Sequence, residues 1–386
     1  MNILHISPDA PFNDGWGYQE NLLPKYQTRL GHRVVLVASA MENGKEGPVP
    51  VPEQRFVSRD GFEVIQRKTG KSDFPVFGKL FTVMNISDIL EEVSPDLIFY
   101  HGMISTSIHQ AVQYKKKHPS TVIVMDNHMD WRIGFVPDTL RAKCKAAAYR
   151  ASLRPVFPWI SRIYGVTPWR KSYAEQVFGA PKEKTDILIM GADDDAVPFS
   201  ERGRIREKIR TEHKIGMDEI LIVSGGRLSE NKNILPLMRA VNSLEKIHLV
   251  LFGSVSEEIR EEFLSLLSSR VQWDGWVSAE KTYEYFLAAD LAFFPGQHSG
   301  LWEQACACKT PCVFRDWEGM HHVDMGGNCI FLKDPEEGNI SACLKDLFLR
   351  GRYSSMKKVC DSEAMNAFLY SRIAVKSLET VIHGPS

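Results

Sequence analysis

The chain has 386 residues, of which 44% are hydrophobic and 25% charged, and its formal net charge at pH 7 is −1. One core does not comfortably hold a chain of this length, so we expect two domains. The near-neutral charge gives no global attraction to nucleic acid. No uncharged apolar run reaches the roughly 18 residues of a membrane span. Because the chain passes directly into a strand pattern, we predict no signal peptide and expect a cytoplasmic protein.

The seven cysteines have no regular spacing, which is typical of a reduced protein and not of a disulfide framework. Three of them, Cys306, Cys308 and Cys312, are close enough in sequence to be considered as metal ligands. They lack the paired Cys-x-x-Cys spacing of a zinc site, and their neighbours are small and apolar. We therefore predict that they are buried thiols.

The N-terminal segment predicts a strand, a helix and a second strand. Residues 2–7 and 33–39 have strand patterns, and residues 18–30 have the apolar spacing of a helix. Short strand patterns follow at residues 55–58 and 61–67. Gly15 and Gly17 lie in the loop before this helix, where glycine lets a ligand phosphate approach the backbone. An ordinary loop is the alternative.

Polar side chains follow two of the next predicted strands. Residues 96–100 form a buried strand pattern followed by His101, and residues 121–125 form another followed by Asp126 and His128. In open α/β sheets the ligand crevice lies at the carboxyl ends of the strands, so these side chains are candidates for substrate contact. A capping or loop role is the alternative for each.

The stretch from Arg132 to Lys171 contains nine basic residues and a single acid, Asp138, interleaved with aromatic and aliphatic residues. Such a stretch is suited to a peripheral contact with an anionic membrane, here the inner face of the membrane. A solvated pair of helices is the alternative. Further along, residues 170–178 predict a helix that ends at Gly179. A short strand pattern at 185–190 and a Gly-x-Asp turn ending at Asp193 predict a domain boundary near residue 195.

Residues 220–232 bring a buried strand, a glycine turn and two cations close together. Gly226 lets the backbone turn tightly after the strand. Arg227 can hold an anionic oxygen with its planar fork, and Lys232 brings a point charge to the start of the next predicted helix, whose N–H groups also favour anions. The pattern predicts a site for a diphosphate; an ordinary turn with solvated cations is the alternative.

Strands and helices continue to alternate through the rest of the chain. Residues 246–252 and 290–295 predict strands, residues 279–288 predict a helix, and residues 364–381 predict a closing helix. No internal repeat interrupts the alternation. The sequence therefore predicts an α/β protein with parallel sheets in both domains.

The run Gly226-Arg227-Leu228, with Lys232 five residues after Arg227, resembles the donor-phosphate turn of GT-B glycosyltransferases, especially the retaining family 4 (glycosyl transferases group 1). Residues 296–311 resemble part of the last signature of that family. The resemblance implies the GT-B fold, in which two Rossmann-like domains with parallel sheets face a central cleft. It divides the chain into an acceptor-side domain (1–195), a donor domain (196–363) and a closing helix (364–386) that packs back toward the first domain.

The resemblance also implies roles for individual residues. The family signature has two glutamates, of which the first reaches the sugar and the second the ribose. Glu303 lies where the second belongs, shifted by one position if it and not Gln304 is the ligand, and the first is absent. The implied donor contacts are Gly15, Gly17, Gly226, Trp276, Val277, His298, Ser299, Gly300, Leu301 and Glu303, and the implied catalytic residues are Arg227, Lys232, His128 and Asp126.

By resemblance, the chain is a hexosyltransferase-type enzyme. It moves a sugar, with retention, from a nucleotide-diphosphate sugar to a hydroxyl of a saccharide or lipid-linked saccharide, in surface polysaccharide or glycoconjugate synthesis. A UDP-sugar is favoured because such donors are the commonest in the family. We expect no cofactor and no metal, because Arg227, Lys232 and backbone N–H groups already supply positive charge at the diphosphate. The acidic run from Asp193 to Asp195 lies at the predicted domain boundary.

Two alternatives remain open. A nucleotide-sugar epimerase on the same fold would use Asp126, His128 and Glu303 for proton transfer. The missing first glutamate suggests instead a catalytically inactive protein that binds sugar nucleotides.

Overall fold

The computed structural model of the protein describes residues 1–44, 47–72 and 80–382. The chain forms two compact units. The first comprises Met1–Ile189 together with the C-terminal segment that begins at Ile373, and the second comprises Met190–Arg372.

The first unit contains an eight-stranded sheet. Its described helices are α1 (Gln19–Arg29), α2 (Ser87–Val93), α3 (Ile108–Lys117), α4 (Leu140–Leu153) and α5 (Pro168–Tyr173). Its described strands are β1 (Asn2–Ser7), β2 (Arg33–Ser39), β3 (Met41–Gly44), β4 (Gly47–Pro50), β5 (Gln54–Val57), β6 (Glu63–Arg67), β7 (Gly70–Lys71), β8 (Thr82–Val83), β9 (Leu97–His101), β10 (Val122–Asn127), β11 (Arg162–Gly165) and β12 (Thr185–Ile187).

The strand order in this sheet is β12-β11-β10-β9-β1-β2-β6-β5. All neighbours pair in parallel except β5, which runs antiparallel to β6. The prediction of a parallel sheet is confirmed, with one antiparallel strand at its edge. The hairpins β3–β4 and β7–β8, which lie outside this sheet, are also antiparallel. A short connection such as that between β5 and β6 returns the chain as a hairpin, whereas a parallel pair needs a long crossover.

The two faces of this sheet differ in character because strand side chains alternate between them. On one face Ile6 of β1 and Ile98 of β9 belong to an apolar core with residues of α2, α3 and α4. On the other face lie His5, one residue before Ile6, and His101. Parallel pairing places His101 opposite Asp126 of β10. The sheet thereby brings together polar groups that are distant in the sequence.

The second unit contains a six-stranded sheet in which every pair is parallel. Its strands are β13 (Ile220–Gly225), β14 (Ile247–Phe252), β15 (Val271–Trp273), β16 (Leu291–Phe294), β17 (Cys312–Arg315) and β18 (Cys329–Leu332), in the order β15-β14-β13-β16-β17-β18. Its helices are α6 (Arg202–Glu212), α7 (Ile234–Asn242), α8 (Glu257–Ser265), α9 (Ala279–Ala288), α10 (Leu301–Ala307), α11 (Glu337–Leu349) and α12 (Arg352–Cys360).

The last helix, α13 (Tyr370–Ile382), begins in the second unit and continues into the first. The predicted closing helix from 364 is interrupted, because Glu363–Phe368 is a separate 3-10 helix and Leu369 is extended. Ala192 explains the break: its N–H donates to Phe368 O (2.9 Å), and its carbonyl accepts from Tyr370 N (3.0 Å). These bonds join the segment around Ala192 to the segment around Leu369 within the second unit. The compact units change at Ile189 and at Arg372, whereas the predicted domain limits are 195 and 364. Residues 383–386 of the predicted helix lie outside the described residues.

Two other elements extend differently from the prediction. Strand β10 runs to Asn127, so Asp126 is a strand residue and does not follow the strand. The predicted helix 170–178 is α5 followed by a π-helical turn, Ala174–Phe178, and ends at Gly179 in the left-handed conformation (φ 77°). None of the helices in the described part of the chain has the length and apolar character that a membrane span needs.

Candidate functional site

The turn after β13 is closely packed against the turn after β14. A Cβ atom at Gly253 would lie 1.9 Å from the carbonyl oxygen of Gly226, and both residues have positive φ, 107° and 102°. A Cβ at Gly225 would lie 2.2 Å from the ring of Phe252. Only glycine fits this conformation and this spacing. The backbones of the two turns therefore lie close together at one edge of the sheet, and the tight turn predicted at Gly226 is present.

A cavity of about 260 Å³ opens beside these turns. Arg227 is exposed at its lining, and so is Trp276, whose side chain is 80% exposed. The other residues around it are Gly226, Phe252, Gly253, Ser254, Val277, Thr282 and Leu301. Five of the predicted site residues, Gly226, Arg227, Trp276, Val277 and Leu301, thus line one cavity. It offers a guanidinium and backbone groups together with an aromatic face, which are the features that an anionic, planar ligand needs.

Lys232 ties the turn after β13 to the loop before α10. Its Nζ donates to the carbonyl oxygens of Gln297 (2.7 Å) and His298 (3.1 Å). The backbones are equally close, because a Cβ at Gly296 would lie 2.3 Å from Lys232 C and Cα. Lys232 therefore organises the loop that contains His298, a role that the sequence did not predict.

Helix α10 follows this loop. Gly300 is the residue before its first turn, and the Ser299 carbonyl accepts from Trp302 N at 3.0 Å. Leu301 reaches the cavity lining, and its Cδ1 would lie 3.1 Å from a Cβ at Gly226. The structure thus places Leu301 at the cavity, whereas Ser299 and Gly300 belong to the start of the helix beside it.

Glu303 is fully buried in α10. Its Oε1 lies 2.8 Å from His298 Nε2 and 2.8 Å from His322 Nε2. Burial by itself raises the pKa of this carboxyl, but the two histidines outweigh burial and hold the pKa well below its usual range. The other oxygen, Oε2, is buried and has no hydrogen-bond partner among the described residues. The ribose contact of Glu303 stays a prediction, and Gln304, the alternative at this position, is half-buried. Sequence reasoning missed His322, since nothing in its spacing connects it to α10.

In the first unit, Asp126 is fully buried and collects several donors. Its Oδ2 lies 2.7 Å from His101 Nδ1 and 3.3 Å from His128 Nε2, and also accepts from Gln19 Nε2 at 3.2 Å. Its Oδ1 accepts from Gly102 N at 3.1 Å. Burial by itself raises the pKa of Asp126, but His101 and His128 outweigh it and hold the pKa far below its usual range. Asp126 is therefore a carboxylate at the carboxyl edge of the sheet.

The side chain of His128 is 31% exposed and lies just past β10. Burial lowers its pKa, but the Asp126 carboxylate outweighs burial, so that the pKa is raised above its ordinary value. The sequence predicted that both Asp126 and His128 are candidates for substrate contact, without separating their roles. The structure brings them together with the carboxylate inside and the imidazole toward solvent.

The glycine loop of the first unit has one constrained glycine. Gly15 has φ 75°, a Cβ there would collide with the side chain of Arg59, and the Gly15 carbonyl accepts from the Arg59 guanidinium. Gly17 is exposed with no atom within 4 Å of a Cβ built there, so the conformation does not require glycine. The structure therefore requires glycine at Gly15 but not at Gly17, and both donor contacts stay predictions.

Two groups of side chains bring potential metal ligands within 4.8 Å of one another in the described part of the chain. They are Glu20, His101 and His128, and His298, Glu303 and His322. Both ring nitrogens of His101 are already hydrogen-bonded, and Glu303 Oε1 already lies within hydrogen-bonding distance of Nε2 of both histidines in its group. These contacts occupy His101 and Glu303 Oε1, and the absence of a metal from the site stays a prediction. The three predicted thiols, Cys306, Cys308 and Cys312, are buried, and burial raises the pKa of each.

Some of the basic side chains between Arg132 and Lys171 contact other residues of the first unit. Arg150 donates to Val177 O at 3.0 Å, and Lys145 lies 4.5 Å from the centre of the Phe135 ring. Other members, Arg141 and Lys143, are exposed. Three apolar side chains nearby are also exposed, Ile133 (63%), Val136 (47%) and Leu140 (80%). We call Ile133, Val136, Leu140, Arg141 and Lys143 the apolar–basic surface.

Comparison with known proteins identifies the region around the cavity. Residues 205–349 match the family model described as Glycosyl transferases group 1. The matched segment contains Arg227, Lys232, Trp276 and Glu303. None of the curated protein sequences matches this chain.

Solved structures resemble the chain over almost its whole length. A glycosyltransferase from Rickettsia africae is 14% identical with a TM-score of 0.69, covering 99% of this chain and 98% of its own. HepE from Anabaena, in complex with UDP, is 16% identical with a TM-score of 0.67, covering 99% and 100%. UDP-GlcNAc 2-epimerase from Neisseria meningitidis, bound to UDP-GlcNAc, is 14% identical with a TM-score of 0.59, covering 99% and 100%. The chain thus has the GT-B fold, and its residues 205–349 match the glycosyl transferases group 1 family.

Proposed function

We propose that the protein is a retaining glycosyltransferase that moves a sugar from a nucleotide-diphosphate sugar to an acceptor hydroxyl. The favoured donor is a UDP-sugar. The observation that carries this proposal is the cavity in the second unit, which is lined by Arg227, the backbone of Gly226 and the exposed ring of Trp276. The guanidinium and backbone suit a diphosphate, and the aromatic face suits a nucleobase. The family match over residues 205–349 supports the same assignment.

The chemistry follows from where negative charge grows. As the bond to the anomeric carbon breaks, the departing diphosphate gains charge, and a preorganised cation stabilises that charge more in the transition state than in the substrate. Arg227 provides such a cation at the cavity, and Lys232 adds charge while its Nζ holds the neighbouring loop. The leaving phosphate takes the proton of the acceptor hydroxyl, so we assign no side-chain general base.

The first unit supplies the sugar-side groups in this proposal. Asp126 and His128 lie together at the carboxyl edge of its sheet, and His128 is the more exposed of the two. An imidazole with a raised pKa beside a fixed carboxylate can donate hydrogen bonds to sugar hydroxyls. The acceptor is a saccharide or lipid-linked saccharide in the synthesis of a surface polysaccharide or glycoconjugate.

Replacing His128 with Ala is expected to lower turnover by about 100-fold, while the dissociation constant for the nucleoside diphosphate changes little. The reason is that His128 contacts the sugar and not the diphosphate in this proposal. Steady-state kinetics and calorimetry measure the two effects. His118→Ala, which removes an exposed histidine paired with Glu91 on the surface of the same unit, is the control. A parallel loss of diphosphate affinity in His128→Ala would assign the residue to the nucleotide pocket.

Two other functions fit the same fold, and one of the similar structures is an epimerase. An epimerase would convert the sugar of the donor without an acceptor, using groups such as Asp126 and His128 for proton transfer. A catalytically inactive protein would bind the donor and change nothing. Incubating UDP-sugars with and without a panel of saccharide acceptors separates the three: acceptor-dependent release of UDP supports the transferase. Analysis of the product by NMR then tests retention at the anomeric carbon.

The transfer proposed here needs no divalent cation and no cofactor. A divalent ion beside two fixed cations would be repelled unless carboxylates screened it. The acidic run from Asp193 to Asp195 has a structural use within the second unit, where Asp194 Oδ2 accepts from Ser371 N at 3.1 Å. Turnover should therefore survive EDTA.

A lipid-linked acceptor would require the protein to reach a membrane, and we propose that the apolar–basic surface makes this contact. Its exposed aliphatic side chains suit the headgroup boundary, and Arg141 and Lys143 suit anionic lipid. In vesicle sedimentation, Arg141→Ser/Lys143→Ser should lose binding to phosphatidylglycerol vesicles, and wild-type binding should fade with salt.

The control for this experiment is Arg204→Ser/Lys208→Ser, which removes two exposed cations from α6 in the second unit. Equal loss in both double variants would indicate a general charge effect. No binding by the wild type would favour a saccharide acceptor in solution.

A further inference from the structure

A chain of five buried polar side chains runs through the first unit from Asp126 to α13. His101 Nδ1 lies 2.7 Å from Asp126 Oδ2, and His101 Nε2 lies 3.0 Å from His5 Nδ1. His5 Nε2 lies 2.6 Å from Gln27 Oε1, and Gln27 Nε2 donates to Ser377 Oγ at 3.0 Å. Each of the five residues is at most 3% exposed. Their protons are therefore fixed by one another and not by bulk water.

The hydroxyl of Ser377 fixes the direction of the hydrogen bonds along these five side chains. Its hydroxyl donates its single proton to the carbonyl oxygen of Ala374 at 2.6 Å, so toward Gln27 it can only accept. The amide nitrogen of Gln27 must then face Ser377, which turns the amide oxygen toward His5. Because that oxygen is an acceptor, His5 carries its proton on Nε2.

The direction continues to Asp126. Burial, and next the charge of His101, lower the pKa of His5 to about 3, so His5 is neutral at pH 7 and its Nδ1 is a lone-pair acceptor. His101 must therefore donate from Nε2 to His5. It also donates from Nδ1 to Asp126, because the pKa of Asp126 lies far below its usual range and a carboxylate only accepts. With protons on both nitrogens, His101 is an imidazolium.

The opposite orientation of the Gln27 amide would make both histidines neutral, but it conflicts with the hydrogen bond of Ser377. It would turn the Gln27 oxygen toward Ser377 Oγ, whose proton is already used at Ala374 O. One of two short oxygen–oxygen contacts, at 2.6 or 3.0 Å, would then lack a proton. An unsatisfied pair of buried acceptors is unfavourable, and this disfavours the alternative.

We propose that Ser377 and Gln27 are positioning residues that hold His101 as an imidazolium against Asp126 and thereby leave His128 free to exchange its proton at the sugar-side edge of the sheet. The role of that edge rests on the proposed function, whereas the proton positions do not. His128 and His101 face the same oxygen, Asp126 Oδ2, at 3.3 and 2.7 Å. Because His101 already neutralises this carboxylate, Asp126 attracts a proton to His128 less strongly.

The other charges that face His128 are few. Glu20 on α1 favours its protonated form, and Arg170 on α5 opposes it. Neither group belongs to the chain from Asp126 to Ser377. Neutralising His101 should therefore leave Asp126 as a carboxylate with one charged partner fewer, and His128 should bind its proton more tightly.

Ser377→Ala tests this proposal, because it removes the hydroxyl that orients Gln27 without adding bulk. Thr380→Val is the matched control: it removes another buried hydroxyl of α13, which is paired with Tyr164 Oη at 3.2 Å and is not connected to the chain. Both proteins are labelled with 15N-histidine, and the ring nitrogens of His101 and His128 are followed by NMR from pH 5 to 9, with signals assigned by single His→Gln variants. The pH dependence of turnover is measured in parallel.

In the wild type and in Thr380→Val, His101 should show protons on both nitrogens at pH 7. In Ser377→Ala, His101 should become neutral, and the protonation midpoint of His128 should rise by about one pH unit. A neutral His101 in the wild type, or equal spectra for Ser377→Ala and Thr380→Val, would overturn the proposal. Gln27→Met is a second test, because it removes the amide oxygen that accepts from His5 and should likewise leave His101 neutral. The NMR readout needs no turnover, so a failure of the proposed transferase activity would be seen separately.

Discussion

Arg227→Ala should reduce turnover of the nucleotide-sugar donor by about 100-fold or more, while the folded protein stays as stable as the wild type. Arg227 is exposed and lines the cavity of the second unit, so its removal costs little packing. In the proposed reaction its guanidinium meets the charge that grows on the departing diphosphate. Removing a preorganised donor of this kind lowers the rate of the chemical step more than it lowers the affinity for the intact donor.

The effect is measured as kcat and KM for the donor, together with the melting temperature. Arg260→Ala is the matched control, because it removes another exposed arginine from the same unit, where it pairs with Glu257. Arg260→Ala should leave turnover within a factor of about two, as expected for a surface substitution. Wild-type turnover in Arg227→Ala would remove the diphosphate assignment of the cavity.

Lys232→Ala should also reduce turnover by about 100-fold or more, but with an additional loss of order in the loop before α10. Its Nζ donates to the carbonyl oxygens of Gln297 and His298, which lose this charged donor when the ammonium is removed. Hydrogen bonds to charged groups contribute about 1.5–3 kcal/mol, so a modest decrease in the free energy of unfolding is expected.

Hydrogen exchange at the backbone of residues 296–300 and urea unfolding measure this second effect. Lys246→Ala, which removes an exposed lysine paired with Asp218, is the control and should change neither the exchange nor the turnover. If Lys232→Ala lost loop order but kept full turnover, the residue would have only the structural role that its two carbonyl contacts describe.

The sequence predicts those parts of the fold that local patterns determine. The apolar run of β13 and the apolar spacing of α7 lie within one short segment, so the strand, the glycine turn and the helix could all be predicted around Gly226. The same holds for α9, whose predicted limits agree with the observed helix Ala279–Ala288. Strand β5 was predicted as a strand, but its antiparallel direction depends on pairing with β6 and has no local signal.

The side-chain networks could not be predicted in this way. His5 is one histidine in an apolar strand, and its partner Gln27 and the next member Ser377 come from α1 and from α13 near the end of the chain. In α10, Glu303 is buried next to Trp302, and its partner His322 comes from a loop 19 residues further along the sequence. Proximity created by tertiary structure leaves no periodic pattern in the sequence.

The measurement that tests the central claim most directly is calorimetric titration of the wild-type protein, in EDTA, with nucleoside diphosphates and with the corresponding monophosphates. The account predicts that at least one diphosphate, favourably UDP, binds roughly 10-fold or more tightly than its monophosphate, because charged hydrogen bonds to the second phosphate add about 1.5–3 kcal/mol. It also predicts that the difference disappears in Arg227→Ala. Equal affinity for mono- and diphosphates, or no binding of any nucleotide without a divalent cation, would contradict it.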